Sequence, residues 1–276
     1  MTVPPSDFVA RAEWLSERLS PRDVAIIETV HALHLMTGRQ IETLFFFDLL
    51  SAFRVRARVL QRLVERRALI RLPRIVGGFS GGSGPSMYTC DAAAIALIMM
   101  RRGYPVYDRP KLATRIPPRL RDHVLAVSEF YTRLVVTARE AGDFEVVEFQ
   151  TEPDSWWPNR TGEILRPDAY TAIGNDRYID RWWIEIDMGT ESPAAITAKL
   201  ANYLAFARSG AEGPDGTMPR VLFTAPSLSR KKRLRQIVQD LPSPALDIFR
   251  VAEFGESMAY LAEELALETG PSVEGE

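Results

Sequence analysis

Two carboxylates lie two positions apart in the segment WWIEIDMG, where apolar and acidic residues alternate. If this segment is a strand, Glu185 and Asp187 project from the same face, a few ångströms apart. Asp168, in the preceding strand candidate, would meet Glu185 across two adjacent strands. Buried acids this close repel each other unless a cation or a proton lies between them. The three acids therefore predict a Mg²⁺ or Mn²⁺ site with Asp168, Glu185 and Asp187 as ligands.

Lys199 is the basic group expected beside these acids. In the helix that follows, Ile196 and Tyr203 belong to the inward stripe, and Lys199 lies between them in angle. In one interpretation Lys199 holds the attacking water or the scissile phosphate in a metal-assisted hydrolysis. In the other, it extends along the apolar surface and forms a structural salt bridge with Glu185 or Asp187. The sequence leaves both interpretations open.

Arginines are concentrated in residues 51–74, which contain eight of them, no lysine and a single acid. Arg54, Arg58 and Arg62 are four residues apart and would line one face of a helix. The planar fork of arginine suits phosphate oxygens and guanine edges, so we expect this helix to lie in a DNA major groove. The predicted DNA-binding residues are Arg54, Arg56, Arg58, Gln61, Arg62 and Arg74. The alternative is a solvated face on a module that binds protein or dimerises.

The elements around this helix predict its domain. Ser20 and Pro21 are typical of a helix start, and apolar residues then recur at helical spacing. A short helix covers RQIETLFF, and Ser51 is expected to cap the arginine-rich helix. Strands at 69–72 and 87–90 enclose a glycine-rich stretch. Three helices followed by a hairpin is the arrangement of a winged helix-turn-helix domain.

The second half of the chain alternates strand and helix patterns, which predicts an α/β domain with a mixed central sheet. The strand candidates are residues 145–150, 164–173, 177–188, 220–225 and 247–252. Helices are expected at 119–141, from Ser192 to about Arg208, and at 230–241. The basic run RKKRLR that begins the last helix is interpreted as a solvated face, with contact to the DNA backbone as the alternative.

Prolines between residues 103 and 118 predict a linker. The winged-helix domain would then cover 1–102 and the second domain 119–265, followed by a flexible tail at 266–276. Residues 1–122 contain 19 Lys and Arg against 11 Asp and Glu, whereas the remainder contains 15 against 25. A basic half joined to an acidic half indicates a polyanion-binding module fused to a carboxylate-rich one. Chance variation in surface charge is the alternative.

The composition also limits the compartment. Cys90 is the single cysteine, which excludes an internal disulfide and a cysteine-based zinc site within one chain. No segment has the length of a membrane span, and MTVPPSDFVA lacks the regions of a signal peptide. We therefore expect a soluble cytoplasmic protein without a membrane partner.

These motifs together resemble known families. Asp168 within RPD, the E-x-D of Glu185 and Asp187, and Lys199 on the next helix resemble the PD-(D/E)xK nuclease superfamily. The arginine-rich winged helix with LRPDAY, WIEIDMGTES and KLANYLAF resembles the replication-relaxation family over roughly residues 20–255. The resemblance implies an α+β protein with a winged-helix domain followed by a nuclease-like domain. Such a protein would handle double-stranded DNA in the replication or relaxation of a plasmid, phage or integrated element.

The resemblance also assigns roles, with Asp168 as the first metal ligand, Glu185 as the second and Mg²⁺ or Mn²⁺ as the cofactor of a DNA endonuclease. Asp187 stands where the superfamily has its catalytic lysine. Either Lys199 has taken over that role, or the domain is a degenerate nuclease scaffold. In the second case the protein is a non-catalytic transcription or replication regulator, and the domain mediates dimerisation or partner binding. We expect a homodimer, because winged helices usually read DNA as dimers.

Overall fold

The computed structural model describes residues 7–73, 85–106, 116–160 and 162–269. The chain divides into two compact units, Met1–Thr132 and Arg133–Glu276, which we call the N-terminal unit and the C-terminal unit. The division falls inside one long helix, Pro118–Ala141. Part of the linker predicted before this helix lies outside the described residues.

The N-terminal unit consists of helices and a small sheet. Its elements are α1 (Phe8–Ser16), α2 (Pro21–Ala32), β1 (Met36–Thr37), α3 (Gly38–Phe45), α4 (Ala52–Glu65), β2 (Leu69–Leu72), β3 (Met87–Cys90), α5 (Ala92–Arg101) and the first part of α6 (Pro118–Ala141). The strand order is β1-β3-β2, and β3 is antiparallel to both neighbours. The predicted helices and both strands of the hairpin are therefore present.

Reciprocal hydrogen bonds explain where α2 and α3 begin. The Ser20 hydroxyl accepts from the Asp23 N–H, and the Asp23 carboxylate accepts from the Ser20 N–H. Thr37 and Gln40 form the same capping box at α3. The predicted cap at Ser51 is wrong, because its side chain makes no capping hydrogen bond to α4. Its ψ of 36° departs from the extended backbone that a capping residue adopts.

Helix α4 lies between the core of the N-terminal unit and solvent. Leu60 and Leu63 are buried, whereas Arg54 and Arg58 are exposed on another side of the helix. The hairpin strands β2 and β3 follow and pair in register along the whole of β2. The predicted hairpin tip, residues 74–84, lies outside the described residues.

The C-terminal unit is built on a central sheet. Its elements after α6 are β4 (Glu145–Thr151), β5 (Trp157–Pro158), β6 (Ile164–Leu165), β7 (Ala169–Gly174), β8 (Ile179–Ile186), α7 (Pro193–Arg208), β9 (Arg220–Ala225), α8 (Leu228–Gln239), α9 (Ala245–Ile248), β10 (Phe249–Glu253) and α10 (Ser257–Thr269). Helix α10 extends into the predicted tail, and residues 270–276 lie outside the described part of the chain.

The five-stranded central sheet is mixed, as predicted, with the strand order β10-β9-β8-β7-β4. Strands β8, β9 and β10 are parallel, whereas β7 is antiparallel to both β8 and β4. Because β8 and β9 are parallel, their carboxyl ends meet at the same edge of the sheet. That edge is where the sites of open α/β sheets are commonly found.

The single strand predicted at 164–173 is in fact two strands, β6 and β7, separated by Arg166, Pro167 and Asp168. Pro167 has no N–H to donate to a strand ladder. Its carbonyl instead accepts a hydrogen bond from the buried Ser155 hydroxyl. Asp168 therefore lies immediately before β7 rather than inside a strand.

Two tryptophans on β8 show which helices cover the sheet. Trp182 and Trp183 are both fully buried, and alternation places them on opposite faces. Trp183 packs against Tyr203 of α7, and Trp182 packs against Tyr260 of α10. Glu185 shares the face of Trp183, so α7 covers the part of the sheet that bears this carboxylate.

Candidate functional site

Asp168 and Glu185 face each other across β7 and β8. Ala169 pairs with Ile184 in the antiparallel register, so the next position outward sets Asp168 opposite Glu185. Asp168 Oδ2 accepts a hydrogen bond of 2.7 Å from the Ile186 N–H. Glu185 is the penultimate residue of β8 and is 2% exposed. The register therefore places the two acids near each other, although Asp168 precedes β7 and does not lie within a strand as the sequence suggested.

Both carboxylate oxygens of Glu185 have partners on α7. Lys199 Nζ lies 2.9 Å from Oε2, and the Tyr203 hydroxyl donates to Oε1 at 2.5 Å. Lys199 and Tyr203 are four residues apart and so lie on the same helix face. We call Asp168, Glu185, Lys199 and Tyr203 the carboxylate cluster. Tyr203 was not among the predicted site residues. Its position four residues after Lys199 could have indicated that both side chains reach the same carboxylate.

Burial and the neighbouring charge of Asp168 raise the pKa of Glu185 to about 8, although Lys199 and Tyr203 act in the opposite direction. Burial alone would lower the pKa of Lys199, but the charges of Glu185 and Asp168 outweigh burial and raise it above its ordinary value. Burial and the Glu185 charge raise the pKa of Tyr203, which keeps its hydroxyl protonated. The carboxylate cluster thus contains two acids and one fixed cation, a balance that favours uptake of a proton or a further cation.

Asp187 follows β8 and belongs to a separate ion pair. Arg230 of α8 donates from Nε to Oδ2 at 2.5 Å and from a terminal nitrogen to Oδ1 at 3.1 Å. The Gly189 N–H also donates to Oδ1. The Asp187 side chain is 1% exposed and that of Arg230 is 12% exposed. Arg230 is therefore the buried partner of Asp187, and the interpretation of its basic run as a solvated face is wrong at this residue.

Glu191 connects the two ion pairs. Its carboxylate lies 3.5 Å from Lys199 Nζ, and its backbone carbonyl accepts a hydrogen bond of 2.9 Å from Arg230. Within the described parts of the chain, no group of three or more His, Cys, Asp or Glu side chains is arranged to hold a metal ion. Asp168 and Glu185 meet, whereas Asp187 is held apart by Arg230.

The arginines of α4 fall into two groups. Arg54 and Arg58 are exposed, and neither side chain has a hydrogen-bond or ion-pair partner among the residues that the structure describes. We call these two residues the open arginines. Gln61 is also exposed and donates to Glu65 at 2.9 Å. The surface of α4 thus presents two cations and an amide to solvent.

The other two predicted arginines of α4 have partners inside the N-terminal unit. Arg56 lies 3.0 Å from the Glu42 carboxylate and donates to the Gly38 carbonyl at 3.3 Å. Arg62 donates at 2.6 Å to Asp23, whose side chain is buried. Their contacts brace α4 against α3 and α2. Arg74, the last predicted DNA-binding residue, lies outside the described residues.

No helix in the described ranges is both long enough and apolar enough to span a membrane. A family model described as replication-relaxation matches residues 27–221, which is more than half of the chain. The match includes α4 and the carboxylate cluster and ends in β9, before Arg230. Searches of curated proteins and of solved structures give no match.

Proposed function

The chain belongs to the replication-relaxation family, and from this premise we propose that it is a DNA-binding protein of a mobile element that acts in DNA replication or relaxation. The proposal assigns duplex binding to the N-terminal unit. Its helices α2, α3 and α4, with the sheet β1-β3-β2, follow the element order of a winged helix-turn-helix domain. In such a domain the helix before the hairpin is the recognition helix, and here that helix is α4.

The open arginines are the observation that carries this proposal. Arg54 and Arg58 lie one helical turn apart and share a face. Because neither guanidinium group has a partner among the described residues, each can bind phosphate without first breaking another contact. Gln61 supports base reading from the same face, because its amide matches the donor and acceptor edge of adenine. Arg56 and Arg62 position α4 through Glu42 and Asp23 instead.

The test compares duplex binding by the wild-type protein with that of Arg54→Ala combined with Arg58→Ala, measured by fluorescence anisotropy. We expect a loss of at least about 100-fold, because charged hydrogen bonds contribute about 1.5–3 kcal/mol each and two are removed. Lys232→Ala combined with Arg233→Ala is the matched control. Those two α8 side chains are exposed and also have no partner in the described part of the chain. Equal losses of duplex affinity in both double variants would show that α4 is not the specific DNA-binding element.

We further propose that the protein acts as a homodimer, since winged helices usually read two half-sites. Light scattering on the full chain measures this directly. A mass equal to that of one chain, both alone and with a two-half-site duplex, would contradict the dimer.

A second candidate function is metal-dependent phosphodiester hydrolysis by a PD-(D/E)xK-like C-terminal unit. The contact between Lys199 and Glu185, with Asp168 opposite, favours it, because it brings two acids and a lysine together at the carboxyl end of β8. In this proposed nuclease the catalytic lysine would be Lys199 of α7, whereas the superfamily usually has its lysine at the position of Asp187, directly after β8. If the site is inactive, the same unit serves dimerisation or partner binding in a regulator.

The chemistry of the donors fits Mg²⁺ or Mn²⁺ in part. Asp168 and Glu185 are carboxylates of the kind that hold Mg²⁺, often one or two of them together with substrate phosphate. Both oxygens of Glu185 already have partners, Lys199 and Tyr203, so a cation would have to share or replace those contacts. Asp187 does not fit as a third ligand, because Arg230 and Gly189 occupy its oxygens. A bound cation would supply Lewis acidity and a more acidic water. Lys199, held beside Glu185, would orient a phosphate oxygen or a water.

Conversion of supercoiled plasmid in Mg²⁺ or Mn²⁺ tests this second function, with Asp168→Ala and Lys199→Ala run beside the wild type. Metal-dependent nicking that both substitutions abolish would establish a nuclease whose lysine comes from the helix. DNA binding without nicking would leave the regulator as the function of the C-terminal unit.

A further inference from the structure

A groove runs beside α4 in the N-terminal unit, with a volume of about 490 Å³. It is bounded by α4 on one side and by residues of β2 and β3 on the other, with the start of α3 also in its lining. The residues that matter for its chemistry are Arg39, Phe53, Ala57, Arg71 and Tyr88. A volume of this size is in the range of pockets that hold small organic ligands.

Two cations of the groove are available to an anion. Arg39 is exposed and has no side-chain partner in the described ranges. Arg71 is exposed, and among the described residues its side chain donates a neutral hydrogen bond, to the Ser86 hydroxyl at 2.7 Å, and has no acidic partner. Arg56 also lines the groove, but its charge is paired with Glu42. Glu65 is the acid of the lining, and its carboxylate accepts a hydrogen bond from Gln61. With Arg39 and Arg71 against Glu65, the groove keeps a net positive charge, which suits an anionic ligand, and guanidinium groups suit phosphate in particular.

The groove also contains an exposed aromatic ring. The Phe53 side chain is 66% exposed, and the Arg56 guanidinium lies 4.6 Å from its ring centroid. A cation stacked on an aromatic ring restrains that ring without burying it. Phe53 immediately precedes Arg54, so the ring belongs to the same end of α4 as the first open arginine. An exposed ring beside phosphate-binding cations is the combination that binds unstacked bases.

We propose that this groove binds one unpaired nucleotide of a DNA strand, with its base against Phe53 and its phosphate against Arg39 and Arg71. The inference rests on the proposed DNA binding by α4 and adds a preference for distorted or partly single-stranded sites. A paired base in a duplex is stacked on both sides and offers only its edge. A base that leaves the stack offers its face to an aromatic side chain.

The test measures anisotropy with two probes, a short duplex and the same duplex with one bulged nucleotide. We expect the wild type to bind the bulged duplex about tenfold more tightly, the size of one base–aromatic stack. Phe53→Ala should remove this preference and leave duplex affinity nearly unchanged.

Phe47→Ala is the matched control, because Phe47 is 61% exposed but does not line the groove. Its bulge preference should equal that of the wild type. Equal affinity of the wild type for both probes would overturn the inference, as would equal effects of Phe47→Ala and Phe53→Ala. If duplex binding still falls in the Arg54→Ala and Arg58→Ala double variant, the proposed function stands while the groove does not bind a nucleotide. Loss of self-association in Phe53→Ala, with the bulge preference intact, would assign the ring to contact between copies.

Discussion

The charged residues of the two units differ in how they are paired. Arg54 and Arg58 in the N-terminal unit are exposed and have no side-chain partner among the described residues. Glu185 and Asp187 in the C-terminal unit are buried and each has a cationic partner. An exposed cation exchanges salt ions for phosphate at little cost, whereas a buried pair must first be broken. On the proposed function, we therefore expect the exposed and unpaired arginines Arg54 and Arg58 to form the surface that binds DNA.

The largest expected effect is on the folding of the C-terminal unit. Arg230→Ala leaves the carboxylate of Asp187 buried without its cation, and we expect it to lower the free energy of unfolding by about 3–5 kcal/mol. Urea unfolding followed by circular dichroism measures this. Arg233→Ala, on the same helix but exposed, should change the free energy by less than about 0.5 kcal/mol. Similar losses in both variants would show that the ion pair between Arg230 and Asp187 contributes no more to stability than an exposed arginine does.

The next effect concerns the pH dependence of stability. The pKa of Glu185 is raised from 4.5 to about 8, so the folded protein holds a proton that the unfolded chain releases. The stability that comes from this proton is fully present below pH 4.5, the pKa of Glu185 in the unfolded chain. It is lost as the pH rises through about 8, and the loss in the free energy of unfolding is on the order of a few kcal/mol. Glu185→Gln should flatten the dependence of urea midpoints on pH across this window. Parallel curves for the two proteins would contradict the raised pKa.

A smaller effect separates the arginines of α4 from one another. Arg62→Ala leaves the buried Asp23 carboxylate without its guanidinium and should cost about 1–3 kcal/mol of unfolding free energy. Arg58→Ala should leave stability unchanged, because its side chain has no partner in the described part of the N-terminal unit. Thermal melts of the two variants beside the wild type decide this. A larger loss of stability in Arg58→Ala than in Arg62→Ala would contradict the assignment of Arg62 as the structural arginine and Arg58 as the unpaired one.

The features that sequence alone predicted depend on local patterns. Alternation in β8 fixes the face of Glu185, and the helical repeat fixes the side of α7 that carries Lys199. Their contact follows once α7 packs on that face, which is why the salt bridge was one of the two expected interpretations. The mixed α+β architecture also follows from these patterns, whereas the family was expected from the resemblance of the motifs, and both are confirmed.

The features that sequence alone missed depend on contacts between distant residues. Arg230 is 43 residues from Asp187, and Arg62 is 39 residues from Asp23. No periodicity relates such pairs, so Arg230 looks like any residue of a basic helix and Arg62 like one more DNA contact. The strand β1 has two residues, too few for alternation to reveal it. The break at Pro167 was missed although the sequence carried its signal, because a proline inside a strand candidate cannot donate to the ladder.

The salt dependence of duplex binding tests the central claim, that the open arginines contact the DNA backbone. The logarithm of the association constant should fall linearly with the logarithm of salt concentration for the wild type. In the Arg54→Ala and Arg58→Ala double variant, the slope should be shallower by roughly 2, since each lost phosphate contact removes about 0.9. Identical slopes for the two proteins would contradict the account, because the open arginines would then make no contact with phosphate.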